Sequence, residues 1–153
     1  MNLTVAKPTV KTYHVSKVLN APLSFAFKWC TDYRETDPRI TGSKNKRSVL
    51  EKNKERVIYT VRYKSGGKTI NAVNIVTLKP PKAWDLDSRG DEDDEVGEYR
   101  LTSLGPRKTR LDMMFIEYWK IPNYPEKSEY LRDIHRIWDK YAAALERDYM
   151  RHK

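Results

Sequence analysis

The chain is poor in the residues that cross-link small scaffolds. It has one cysteine, Cys30, and three histidines in 153 residues. A lone cysteine excludes an internal disulfide and a cysteine-rich zinc site, and a reducing, cytoplasmic setting is the expectation that follows. The histidines, His14, His135 and His152, show no metal-ligand spacing, so neither a metal nor a cofactor is expected. Long apolar runs are missing as well. None approaches the ~18 to 20 residues of a membrane span, and no apolar segment of the signal-peptide kind opens the sequence. No repeat, low-complexity tail or Pro/Gly-rich linker divides it, so one domain over residues 1–153 is expected.

What is present is charge and aromatic surface. Lys and Arg number 30 against 21 Asp and Glu, a formal net charge of +9. Hydrophobic residues make up 39% and aromatics 11%, enough for a folded core. A positive excess favours anionic partners, although a lysine-rich solvated surface accounts for it more simply. Nucleic acid is not an expected partner, a transient contact with a membrane surface stays open, and nothing in the sequence speaks to oligomeric state.

Periodicity supplies the elements. Residues 9–19 alternate, with Tyr13, Val15 and Leu19 on one parity, and predict a half-buried strand. Ala21-Pro22 closes it, and the proline suits the first turn of a helix running to about Trp29. Asp32 to Pro38 is polar and turn-rich, room for a second short helix. Strands follow closely: Arg47 to Leu50; the stripe Val57, Tyr59, Val61, Tyr63; and Thr69 to Leu78, set off by the hairpin turn Ser65-Gly66-Gly67-Lys68. Beyond Pro80-Pro81, Trp84 and Leu86 alternate with acids, and Tyr99 and Leu101 with Glu98 and Arg100. After Gly105-Pro106, a strand over Thr109 to Trp119 puts Leu111, Met113, Phe115, Glu117 and Trp119 on one parity. The last element is a helix over about Glu126 to Met150. Its apolar face comprises Tyr130, Leu131, Ile134, Ile137, Trp138, Tyr141, Leu145 and Tyr149. The order is a strand, two short helices, about six antiparallel strands and a long amphipathic helix. An α+β fold follows, with a curved antiparallel sheet of about seven strands wrapped on the C-terminal helix.

This order and one stretch, "VLNAPLSFAFKWCTDYRETDP" (18–38), resemble the START-like, or Bet v 1-like, helix-grip (SRPBCC) superfamily. Matching features are Leu19, Ala21-Pro22, Phe25, Phe27, Trp29, Asp32 and Pro38. "VTLKPPKAWDL" (76–86) and "GEYRLTSLGPRKTRL" (97–111) are similar to the superfamily's later hairpins. The resemblance covers nearly the whole chain and points to the polyketide cyclase-like branch. It implies a cavity between sheet and helix that binds or transports a hydrophobic small molecule such as a lipid, quinone or polyketide. It also implies two alternatives, a polyketide cyclase or aromatase using a cavity carboxylate, and a co-chaperone or ribosome-associated interaction module. No superfamily-wide catalytic set exists to carry over, and the balance leans away from catalysis.

The candidate cavity residues are those on inward stripes: Tyr59, Tyr63, Trp84, Tyr99, Met113, Phe115, Glu117, Trp138 and Tyr141. Several tyrosines facing one interior point to a cavity with polar points, because each hydroxyl needs a partner. Glu117 is the one candidate for catalysis. Its parity aims a carboxylate inward, where it either anchors a polar head group, acts as a general acid or base with a raised pKa, or is paired. On the last helix Arg132, Arg136, Lys140, Arg147 and Arg151 share an arc of about 100°, which reads as a solvated face.

Five consecutive acids, Asp91 to Glu95, stand out in a basic chain. As an EF-hand beginning at Asp91 they fail, since the sixth and twelfth positions are Val96 and Thr102 rather than glycine and glutamate. Arg89-Gly90-Asp91 carries no adhesion meaning in a cytosolic setting. The run is expected to be a solvated hairpin loop, not a site of chemistry. It would lie at the cavity mouth beside the basic loops 41–47, 64–68 and 120–127, pairing with them as a mobile gate.

Overall fold

The structure is a computed structural model and describes residues 7–152. Seven antiparallel strands form one sheet: β1 (Thr9–Leu19), β2 (Lys46–Lys52), β3 (Arg56–Ser65), β4 (Lys68–Lys79), β5 (Ala83–Gly90), β6 (Asp93–Gly105) and β7 (Lys108–Trp119). Their spatial order is β1-β7-β6-β5-β4-β3-β2. Six strands thus follow one another as hairpins, and β1 closes against the last of them. Between β1 and β2 lie α1 (Leu23–Cys30) and a 3-10 turn (Asp37–Thr41). The long helix α2 (Lys127–Arg151) follows β7 and packs against β1, α1 and the 3-10 turn.

The strands alternate as strictly as the sequence does. On β1, Tyr13, Val15 and Leu19 are buried. On β7, Leu111, Met113, Phe115 and Glu117 are buried too. Gly66 (φ 57°) and Gly67 (φ 79°) make the two-residue turn between β3 and β4, where positive φ at both central positions matches the strand twist. Pro22 precedes α1 in an extended conformation (φ −62°), which its ring favours. The buried Thr109 hydroxyl donates to the Ala21 carbonyl at 2.9 Å and fixes the point where the chain leaves β1 for α1. The Trp29 indole N–H donates to Asp148 at 2.8 Å, tying α1 to the C-terminal half of α2.

The acidic run departs from expectation. Asp91 and Glu92 alone form the turn, while Asp93, Asp94 and Glu95 already belong to β6. Alternation then sends Asp93 and Glu95 to the parity of Gly97, Tyr99 and Leu101, the inner face, and Asp94 to the outer one. The turn is well tethered. The Asn71 backbone N–H donates to the Asp91 carboxylate at 2.8 Å, and the Tyr63 hydroxyl donates to Glu92 at 3.1 Å. Asp94 pairs with Lys120 at 2.8 Å and Arg89 at 3.6 Å. Of the three basic loops expected to pair with the run, 120–127 does so through Lys120.

Candidate functional site: an aromatic cavity and a buried acid pair

The interior between sheet, α1 and α2 is mostly filled with rings, but it keeps a cavity of about 160 Å³. Its walls are Trp29 and Cys30 of α1, Tyr33 and Asp37 of the segment that follows, Arg47 of β2, and Tyr59, Trp84 and Tyr99 of the sheet. Trp138 and Tyr141 of α2 close it. The rings support one another: Trp84 stacks on Tyr99 (4.9 Å, 10°), Tyr33 on Tyr59 (5.3 Å, 29°), and Trp138 meets Tyr141 edge-on at 5.2 Å. Gly97 makes part of this possible. A Cβ there would lie 3.3 Å from the Tyr99 and Phe115 rings, which fold across the bare backbone.

One wall is charged. Arg47 donates to Asp37 at 2.9 Å and to the Arg34 carbonyl at 3.2 Å, and its guanidinium lies 4.7 Å from the Tyr59 ring centre. Asp37 also accepts from the Arg34 backbone N–H at 3.0 Å and side chain at 3.1 Å. An ion pair this enclosed persists because nearly every polar atom finds a partner. Two buried donors at the cavity wall do not: Arg47 Nε and Trp84 Nε1 have no hydrogen-bond partner among the described residues. Burial raises the tyrosine pKa values, Tyr59 to about 12 despite the nearby Arg47, and Tyr33 and Tyr99 well above normal. All three are neutral hydroxyls at physiological pH.

The strand register exposes a second feature. One row of inward positions crosses the sheet as Tyr59, Asn74, Ser88, Glu95 and Glu117, on β3 to β7 in turn. The adjacent row, Val57, Val76, Leu86, Gly97, Phe115 and Tyr13, has no ionisable group except the Tyr13 phenol. The polar row ends in two directly opposed acids. Glu117 is only 2% exposed and Glu95 is partly buried. Burial, followed by Asp93 alongside and by repulsion from Glu95, drives the Glu117 pKa far up; burial raises that of Glu95 to about 7. The pair therefore retains a proton at neutral pH. The Tyr130 hydroxyl, from the first turn of α2, donates to Glu117 Oε1 at 2.8 Å, while Oε2 is buried without a partner among the described residues. Tyr130 stacks on Tyr13 at 3.9 Å, and Trp119 meets it edge-on at 6.2 Å.

The inward candidates thus fall in four places. Tyr59, Trp84, Tyr99, Trp138 and Tyr141 come together around the cavity. Met113 and Phe115 are packed into the core cluster. Tyr63 lines a separate basic cleft with Lys44, Lys46, Arg62 and Lys64. Glu117 sits in the acid pair. Sequence reasoning missed Trp29, Cys30, Tyr33, Asp37 and Arg47 as cavity walls, since all but Arg47 lie in α1 or the irregular segment after it. It also missed Glu95, whose strand alternation with Gly97 and Tyr99 was legible but was masked by four neighbouring acids. Among the described residues, no group of three or more His, Cys, Asp or Glu side chains could hold a metal ion, and no helix is long and apolar enough to cross a membrane.

No family model matches the sequence, and no curated protein matches it. Solved structures match its fold. The Zhui aromatase/cyclase from a Streptomyces species is similar over 94% of this chain and 95% of its own, with a TM-score of 0.68 at 13% identity. A START superfamily protein from Mycobacterium smegmatis gives 0.71 at 13%, over 89% and 97%. A protein from Thermus thermophilus gives 0.75 at 12%, over 90% and 99%. The chain has the helix-grip fold of the START-like and Bet v 1-like proteins. At such identities the likeness speaks for the fold, and function has to be argued from the site.

Proposed function

We propose that the protein binds a small hydrophobic molecule with an aromatic ring, held in the cavity between the sheet and α2. The observation that carries this is the cavity itself, about 160 Å³, lined by seven aromatic side chains together with Cys30, Asp37 and Arg47 and partly open to solvent. An apolar cavity of about 150 Å³ accepts a benzene-sized molecule, whereas drug-sized ligands occupy roughly 300–1,000 Å³. A one-ring ligand fits the cavity as it stands; a lipid, quinone or polyketide fits only if α2 shifts. Flat rings suit stacked walls such as Trp84–Tyr99. The unpartnered donors of Arg47 and Trp84 would favour a ligand that carries an acceptor oxygen, provided a small side-chain adjustment turns them to it. Native mass spectrometry of protein purified from its own source tests the reading. A bound small aromatic molecule is the predicted result, together with its loss from Cys30→Leu, which fills the cavity from one wall. A ligand retained undiminished by Cys30→Leu would overturn it.

A second reading, an enzyme of the cyclase or aromatase type, is favoured by one observation. Glu117 and Glu95 form a buried pair with one proton to give, the property required of a general acid. Two of the structural neighbours, the Zhui aromatase/cyclase and the di-domain ARO/CYC StfQ from the steffimycin biosynthetic pathway, are named for that chemistry.

A further inference from the structure

The acid pair lies beneath the first turn of the helix that roofs the cavity, and this placement gives it a use that packing alone does not. The Tyr130 backbone N–H donates to the Glu126 carbonyl at 2.9 Å at the very start of α2, and the Tyr130 hydroxyl donates to Glu117. The start of the helix is therefore fastened to the sheet through one phenol. We propose that Glu95, Glu117 and Tyr130 form a proton-held latch, which keeps the N-terminal turn of α2 closed while the pair holds its proton and releases it when the proton is lost.

The surroundings leave the pair with little else to hold it. From β6 it faces Asp93 and Glu95, and from α2 the neutral Tyr130. From β1, Tyr13 packs against Tyr130 and Lys11 stands opposite Glu117 in register. Lys11 is exposed and lies 5.9 Å from the Tyr124 ring of the connecting segment, and it forms no ion pair among the described residues. Lys120, just past the end of β7, is engaged by Asp94 and the Gly90 carbonyl. With its proton, Glu117 is a neutral acceptor for the Tyr130 hydroxyl, set opposite Glu95 in register. A doubly ionised pair is two like charges on opposed strands beside a third acid, and the cation in register with it, Lys11, forms no ion pair among the described residues. Solvation from water relieves that repulsion, and the movable wall is the turn carrying Tyr130 rather than the two paired strands.

The sign follows from linkage. The closed form binds the proton more tightly than the open one, so closure is complete at low pH and weakens as pH rises through the raised pKa of the pair. Each pH unit across that range lowers the closed-to-open ratio by up to about tenfold. This inference rests on the cavity reading for its role in ligand entry, but the latch itself has a separate readout.

Amide hydrogen exchange at Tyr130 and Leu131, corrected for the intrinsic pH dependence of exchange, reads the latch directly. Protection in the wild type is expected to fall about tenfold or more between pH 6 and pH 9. Glu117→Gln, which still accepts the Tyr130 O–H but cannot ionise, should show no such fall, and Tyr130→Phe should show reduced protection already at pH 6. Equal pH dependence in the wild type and Glu117→Gln overturns the latch; so does unchanged protection at pH 6 in Tyr130→Phe, should Glu117→Gln fail to fold. Stopped-flow entry of indole, used as a one-ring probe, supplies the second arm and should accelerate with pH in the wild type alone. Indole binding at no pH, with the exchange pattern as stated, contradicts the cavity reading and leaves the latch standing. Indole binding with a pH-independent entry rate removes the latch from ligand access.

Discussion

Asp37 sets the charge of the cavity wall. Its carboxylate takes three hydrogen bonds, two from Arg34 and one from Arg47, and the Asp37–Arg47 pair has side-chain exposures of only 15% and 12%. Removing one partner of an enclosed pair leaves the other charge desolvated without compensation, which generally costs more than the pair contributed. Asp37→Asn should therefore destabilise the fold by about 3 kcal/mol in urea denaturation, where a change at an exposed pair such as Arg89–Asp87 should leave the midpoint nearly unchanged. None of this could be seen in the sequence. Asp37 and Arg47 are ten positions apart, across a 3-10 turn, and nothing in their spacing brings them together.

At the scale of elements, α2 is held by few fully buried side chains. Leu145 is 0% exposed and Ala144 6%, while Tyr130, Leu131, Ile134, Trp138 and Tyr149 remain partly accessible. Leu145 is therefore the anchor of the C-terminal half of the helix. Leu145→Ala should cost about 3 kcal/mol through lost burial and an imperfectly refilled space, measurable as a shift in the urea midpoint at unchanged slope. Most strands and both main helices were legible from apolar alternation at period 2 and period 3.6, because Tyr13, Val15 and Leu19, or Tyr130, Ile134 and Tyr141, have to meet one core; the strand over Thr69 to Leu78 was legible as a strand, but polarity did not separate its two faces. The acidic run was not, and the reason is physical. Polarity alone places Asp93 and Glu95 in solvent. Strand pairing, however, already holds Asp93 opposite Trp119 of β7 and Asp94 opposite Arg89 of β5, which forces alternate acids inward. Backbone hydrogen bonding overrode side-chain preference there, and the cost was absorbed as a retained proton.

For the whole molecule, the seven-strand sheet and α2 enclose two unlike compartments. One is an aromatic cavity with a charged wall. The other is an acid pair at the start of the roof helix, and a polar row from Tyr59 to Glu117 connects them across the sheet. The sequence announced an interior rich in tyrosine and tryptophan but could not say how much of it would be empty, because a cavity is a difference between enclosing volume and side-chain volume. The four tryptophans offer a direct test. Trp29, Trp84 and Trp138 line the cavity, while Trp119 belongs to the acid compartment. Titration with indole, followed by the side-chain N–H resonances of the protein at constant pH 6, should shift the first three and leave Trp119 in place. Shifts confined to Trp119 or to surface amides, or none at saturating indole, would contradict the assignment of the aromatic cavity as the binding site.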